Sequence, residues 1–229
     1  MPQLYHYPFC PFSRRIRLAL GEYGASFELI EEAPWAKRPE FMILNPTGEI
    51  PVLVDNDGSI AAGIYAASEY LDELYSSVSD VTLLPGSLAE RAEVRRLVDW
   101  FDHHFFVAVT GNLITEKVYK RFMTPEQGGG APDMLRVRQS MGNIAGYMQH
   151  IDWLAAERSW LAGDNISAAD LCAAAHLSCI DYLGDVPWQY HENAKNWYAR
   201  IKSRPSFRPI LADHIRGLNP SAHYTDLDF

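Results

Sequence analysis

The stretch NPTGEIPVLVDNDGSIAAG, residues 45–63, restricts the fold more than any other part of the chain. Ile50 to Val54 is short, apolar and β-branched, as a strand should be. Asp57-Gly58 has the composition of a tight hairpin turn, and Ser59 to Ala62 supplies a return strand. A helical pattern then runs to about Leu74. Upstream, Leu4 to Tyr7 reads as a strand ended by Pro8. Ser13 onward reads as a helix. Ile16, Ala19, Leu20 and Tyr23 lie on one stripe, Arg14, Arg15 and Arg17 lie mostly off it, and Gly24 is the stop. Phe27 to Glu31 alternates like a half-buried strand, and a Pro-bounded loop covers 33–39. The order βαβ then ββα predicts a compact α/β unit of about 75 residues.

Beyond SSVSDVTLLPGS the pattern turns wholly helical. Val94, Leu97, Val98, Phe101 and Phe105 recur at helical spacing and read as core. TPEQGGGAPD (124–133) breaks the helices and predicts a mobile surface loop. Met134 to Glu157 reads as one long helix. Ser167 and Asp170 form a capping-box pair ahead of an Ala-rich, fully buried helix. Asn196 to Ile201 is the last clear helix, ended by Arg204-Pro205. The expected class is α/β followed by all-α.

Composition excludes some functions. A formal net charge of -9 argues against a nucleic-acid binder, which needs a basic face. No apolar run approaches the roughly 18–20 residues of a membrane span, so no membrane insertion is expected. The opening MPQLYHYP lacks the basic and apolar regions of a secretory signal. Three cysteines suit a reducing compartment. These features predict a cytoplasmic location. No metal-ligand pattern is expected. His103 and His104 are adjacent on a helix and diverge by about 100°, which predicts one packed and one exposed ring. Cys172 and Cys179 are two helical turns apart, about 10 Å, too far for a disulfide, and read as small core residues.

CPFS (10–13), NPTGEIPVL (45–53) and LAGDNISAADL (161–171) together resemble the cytosolic glutathione transferase superfamily, over residues 3–212. The resemblance implies a thioredoxin-like domain at 1–77, an all-helical domain at 86–212, a tail at 213–229, and a two-fold homodimer. It also implies a cis Ile50-Pro51 bond at the thiol-peptide site. Cys10 at a helix N-terminus is a physically sensible nucleophile, since unpaired N–H groups and the helix dipole stabilise a thiolate. Ser13 is the expected hydrogen-bond donor to it, and Tyr7 the fallback. CPFS resembles the monothiol sites of omega- and beta-like branches, so one reading is a glutathione-dependent transferase or thiol reductase.

The glutathione site departs from the family pattern. Gly63-Ile64 stands where an acidic residue and a hydroxyl would hold the γ-glutamyl carboxylate. Ile50, Pro51, Gly63 and Ile64 would then form a vestigial site. Losing one charge-assisted bond costs about 1.5–3 kcal/mol. Weak glutathione binding or none is expected, and no cofactor is required.

PW (34–35), TEKVYKRF (115–122), AAHLSCIDYLGDVPW (174–188) and HYTDLDF (223–229) resemble a branch of transferase-like division proteins of alphaproteobacteria. That resemblance implies a non-enzymatic dimer that binds and organises the tubulin-like polymer FtsZ at the division site. Three surfaces are candidates for such binding: Trp35; the charged segment Glu116, Lys117, Lys120 and Arg121; and the tail residues His223, Tyr224, Asp226, Asp228 and Phe229.

Overall fold

The computed structural model of the chain describes residues 1–227. Strand β1 (Gln3–His6), helix α1 (Pro11–Glu22) and strand β2 (Glu28–Glu31) are followed by a short helix α2 (Pro39–Leu44). Strands β3 (Val52–Val54) and β4 (Ile60–Ala62) then lead into α3 (Ile64–Tyr75). The sheet order is β2-β1-β3-β4, with β1 and β2 parallel and the other pairs antiparallel. The Asp57-Gly58 turn closes the β3–β4 hairpin, and Gly58 takes the positive φ such a turn needs.

Two expectations fail here for local reasons. β2 is the edge strand, and its side chains are largely exposed rather than half-buried, with only Ile30 partly covered. Residues 39–44 form a helix that begins at the last residue of the Pro-bounded 33–39 loop and has no counterpart in the sequence reading. Pro39 occupies the first helical position, where its missing N–H costs nothing.

The second half is helical: α4 (Leu88–Asp99), a wider π-wound continuation over Trp100–Thr110, and α5 (Gly111–Lys117). α6 (Met134–Glu157), α7 (Ala168–Tyr182), α8 (Glu192–Lys202) and a short α9 (Arg208–Leu211) follow. The predicted bounds of the long helix coincide with α6. The 124–133 segment is a built turn: Thr124 and Gln127 cap a short 3-10 helix reciprocally. Ser167 and Asp170 make the anticipated capping box, and α7 is buried from Ala169 to Tyr182. Among the described residues, no helix is long and apolar enough to cross a membrane.

Helix α1 is the keystone. It covers the Leu4/His6 face of the sheet, packs beside α3, and presses against α7. Its arginines are not on a solvent face. Arg14, Arg15 and Arg17 are all buried and reach into the helical half. Arg17 forms a two-pronged pair with Asp213, at 2.7 and 3.0 Å. Arg14 donates to Ser178 Oγ and Pro8 O and lies 3.5 Å from Asp213. At the helix end, Glu22 accepts from Arg204 and Ser206.

His6 makes folding sensitive to acid. Burial, and then the charge of Arg17, pull its pKa from 6.5 to about 3. The unfolded chain takes up a proton near its ordinary value, while the folded chain does not. Stability is therefore full above that value and falls as pH drops toward the folded pKa. The loss from this group is about 2 kcal/mol by about pH 5. In urea denaturation followed across that window, His6→Gln should lose less stability than the wild type. An equal loss in both would remove His6 as the cause.

Candidate functional site

Cys10 caps the N-terminus of α1, with Pro11 as the first helical residue. Its N–H donates to Tyr7 O at 3.0 Å, and its carbonyl accepts from Arg14 N at 2.9 Å. The side chain lies among amides and a hydroxyl that favour a thiolate: the N–H groups of Phe12 and Ser13, and Ser13 Oγ. Burial opposes them and is the larger effect, so the thiol is pushed above its ordinary pKa. Cys10 is 4% exposed. Ser13 Oγ also accepts from Tyr7 N at 3.3 Å. Tyr7 turns its ring toward Trp35 and Tyr119, and burial helped by Glu31 pushes its hydroxyl up to about 12. This environment holds a protonated thiol at neutral pH. Alkylation of native Cys10 by iodoacetamide should run at least about ten-fold slower than that of a free thiol. A faster-than-free rate, read by mass spectrometry, would point to a thiolate instead.

Beside Cys10 lies a cleft of about 340 Å³ lined by Phe12, Ile50, Gly63, Ile64, Phe106 and Tyr119. The Ile50-Pro51 bond at its floor is cis. Gly63 precedes α3 at φ 87°, and no side chain caps that helix. Ile64 offers no hydrogen-bonding side chain. Ser68 does not compensate, because it donates to Ile64 O at 2.6 Å and accepts from Arg15. The cleft wall is thus mostly apolar, and Lys37 at its rim is engaged by Thr47 O and Gly48 O.

Trp35 is half-buried and crowns an aromatic cluster. Its ring lies 5.1 Å from Tyr7, 5.0 Å from Tyr119 and 6.4 Å from Phe122. Gln127 donates to Trp35 O at 3.3 Å, tying the 124–130 turn to it.

The 116–121 segment is not a solvated charge patch. Glu116 is buried, accepts from Asp133 N at 2.7 Å and pairs with Lys120. Lys117 is held by Asp185 at 2.6 Å. Arg121 donates to Gly217 O at 2.7 Å. These charges fasten α5 to the start of α6, to the loop after α7 and to the tail.

The tail docks on the body. Tyr224 is fully buried, donates to Ile210 O and packs edge-on against Tyr182. His223 meets Asp181 at 2.8 Å, and Lys202 donates to His223 O. Asp226 is exposed. Asp228 and Phe229 lie outside the described residues. Trp35, Tyr119 and Phe122 pack together, and Arg121, next to Phe122, ties this cluster to the tail at Gly217.

One constellation escaped sequence reading. Asp102, Cys172 and His176 converge within 4.8 Å in a pocket that Arg15 also enters. Only Cys172 and His176 are near in sequence, and their i, i+4 spacing on an apolar helix reads as core. His103 and His104 are instead both exposed, because the π-wound turns carry that pair outward.

Comparison with known proteins matches this architecture. Residues 9–74 match the model of the glutathione S-transferase N-terminal domain, and residues 115–205 that of the C-terminal domain. FtsZ-localized protein A of Caulobacter vibrioides is 46% identical, over 99% of this chain and 97% of that protein. A crystal structure of a glutathione S-transferase from Sinorhizobium meliloti is 50% identical, with a TM-score of 0.97 and full coverage of both chains. The structure of FzlA from C. crescentus is 45% identical, with a TM-score of 0.93, over 100% of this chain and 99% of that one. Two matched domain models, full-length relatives, the mixed four-stranded sheet and the helical second half agree: the chain belongs to the glutathione S-transferase family.

Proposed function

We propose that this chain is a cytoplasmic, homodimeric FtsZ-binding protein that organises filaments at the division site without enzymatic turnover. The observation that carries this reading is the aromatic cluster of Trp35, Tyr119 and Phe122, tied to the tail through Arg121, on a chain 46% identical throughout to a protein named for FtsZ localisation. A half-exposed tryptophan at the centre of packed aromatics has the character of a binding anchor. Exposed Asp226 adds a negative charge to the docked tail. The cleft supports the absence of turnover. Its thiol is protonated by burial, and its helix cap offers glutathione no charged or hydroxyl side chain.

A glutathione-dependent transferase or thiol reductase is the alternative, favoured by Cys10 at a helix N-terminus beside Ser13. Two measurements separate them. Co-sedimentation with polymerised FtsZ should pellet the wild type. Trp35→Ala should weaken binding by about thirty-fold, on the order of 2 kcal/mol, and removal of the residues after Tyr224 should weaken it too. Wild type that stays in the supernatant sinks the binding role. Calorimetry with glutathione should give no micromolar binding. Micromolar affinity, with turnover abolished by Cys10→Ala, would establish the enzyme instead.

A further inference from the structure

The geometry points to a zinc site built from Asp102, Cys172 and His176, separate from the Cys10 cleft. Cys172 Sγ lies 3.1 Å and His176 Nε2 3.2 Å from the same oxygen, Asp102 Oδ1. Two protons thus converge on one carboxylate oxygen, where a single cation would satisfy all three groups. A tetrahedral zinc with bonds of about 2.0–2.3 Å sets its ligand atoms roughly 3.3–3.8 Å apart. The two separations to Asp102 Oδ1 lie slightly below that range, and the three ligand atoms all lie within 4.8 Å of one another.

The surroundings fit the role. Asp102 Oδ2 faces Arg15, which fixes the carboxylate and leaves Oδ1 for the metal. Thr110 Oγ1 lies 3.3 Å from His176 Nδ1. It can accept the Nδ1 proton, which frees the Nε2 lone pair, and so orient a metal-bound imidazole from the outer side. Asp102 and Arg15 line a cavity of about 520 Å³, while Cys172 and His176 are fully buried. Binding displaces the thiol proton, while the imidazole proton moves from Nε2 to Nδ1. One proton is released per ion. The bound cluster then carries one extra positive charge next to Arg15, which also lies 3.7 Å from Cys172 Sγ; Asp72 and Asp99 line the adjoining cavity, where Glu69 is paired with Arg95. Thiolate and imidazole together select zinc over magnesium or calcium.

The full-length chain should take up one Zn²⁺ with release of one proton in weakly buffered solution. With Co²⁺ as probe, one equivalent should produce thiolate-to-metal charge-transfer absorption. Cys10→Ser should keep that band, and Cys172→Ser should abolish it. Thr110→Val should weaken zinc at least about ten-fold in competition with a chromophoric chelator. Cobalt binding without a thiolate band would mean surface histidines such as His103 and His104, and would overturn the proposal. So would a band that survives Cys172→Ser. If Cys172→Ser does not fold, His176→Gln must weaken zinc to the same end, and unchanged affinity there refutes the site.

Discussion

Asp170→Ala should destabilise the protein by about 3–5 kcal/mol, a large share of the 5–15 kcal/mol typical of a folded domain. The carboxylate is fully buried and accepts four hydrogen bonds: Leu161 N at 2.9 Å, Ser167 N at 3.0 Å, Ser167 Oγ at 3.0 Å and Trp197 Nε1 at 2.9 Å. Truncation leaves these donors in a cavity with nothing to accept them, and each buried orphan costs about 1–3 kcal/mol. The total falls short of the sum because the donors share one acceptor and relax together. Ser167→Ala removes only the hydroxyl half of the cap and should cost about 1 kcal/mol. Urea denaturation of the two variants separates the roles. Similar midpoints would mean that Asp170 is merely a cap residue, whereas a much larger loss for Asp170→Ala shows it joining three segments.

Asp213→Ala should cost about 3–5 kcal/mol by stranding charge. Arg17 and Arg14 are buried, and Asp213 is the carboxylate both address. Among the described residues, Arg17 then keeps Pro209 O, and Arg14 keeps Pro8 O and Ser178 Oγ. A guanidinium inside the protein without its counter-charge pays a desolvation cost that neutral acceptors do not repay. Removing the charge from both sides at the two-pronged contact, with Arg17→Met and Asp213→Leu together, should recover much of the loss. Recovery in a double-mutant cycle would assign the cost to stranded charge. No recovery would assign it to lost packing between α1 and the segment after α9. The same pairs position the site, because α1 carries Cys10 at one end and is bound near the other to residues 204–213.

These two residues differ in how far the sequence reveals them. Ser167 and Asp170 are three apart, so a capping box was legible. Asp170's bonds to Leu161 and Trp197 were not, since nothing in a local window marks a residue that accepts from a distant indole. Asp213 had no signal at all. Its importance comes from two arginines on α1 that periodicity placed off the core stripe. Glu116 went the other way. In TEKVYKR it reads as one member of a charged segment offered for binding, but the start of α6 folds over it and makes it a buried acceptor. The cluster of Asp102, Cys172 and His176 was invisible for the same reason as Asp213, its members being brought together from the π-wound segment and α7.

By itself the sequence determined the elements whose causes lie within a few residues. These are the Asp57-Gly58 hairpin, the long α6, the Ser167 cap, the cysteine at the head of α1, and the glycine and isoleucine that leave α3 without a capping side chain. Turn geometry, helical periodicity and capping act over one or two turns of chain, so a linear reading reaches them. Tertiary structure alone decided which charges would be buried, which thiol would stay protonated, and which distant groups would share a carboxylate. Those outcomes depend on loss of water and on partners up to 196 residues away, as in Arg17 and Asp213. Burial changes the free energy of a charge far more than its local sequence does.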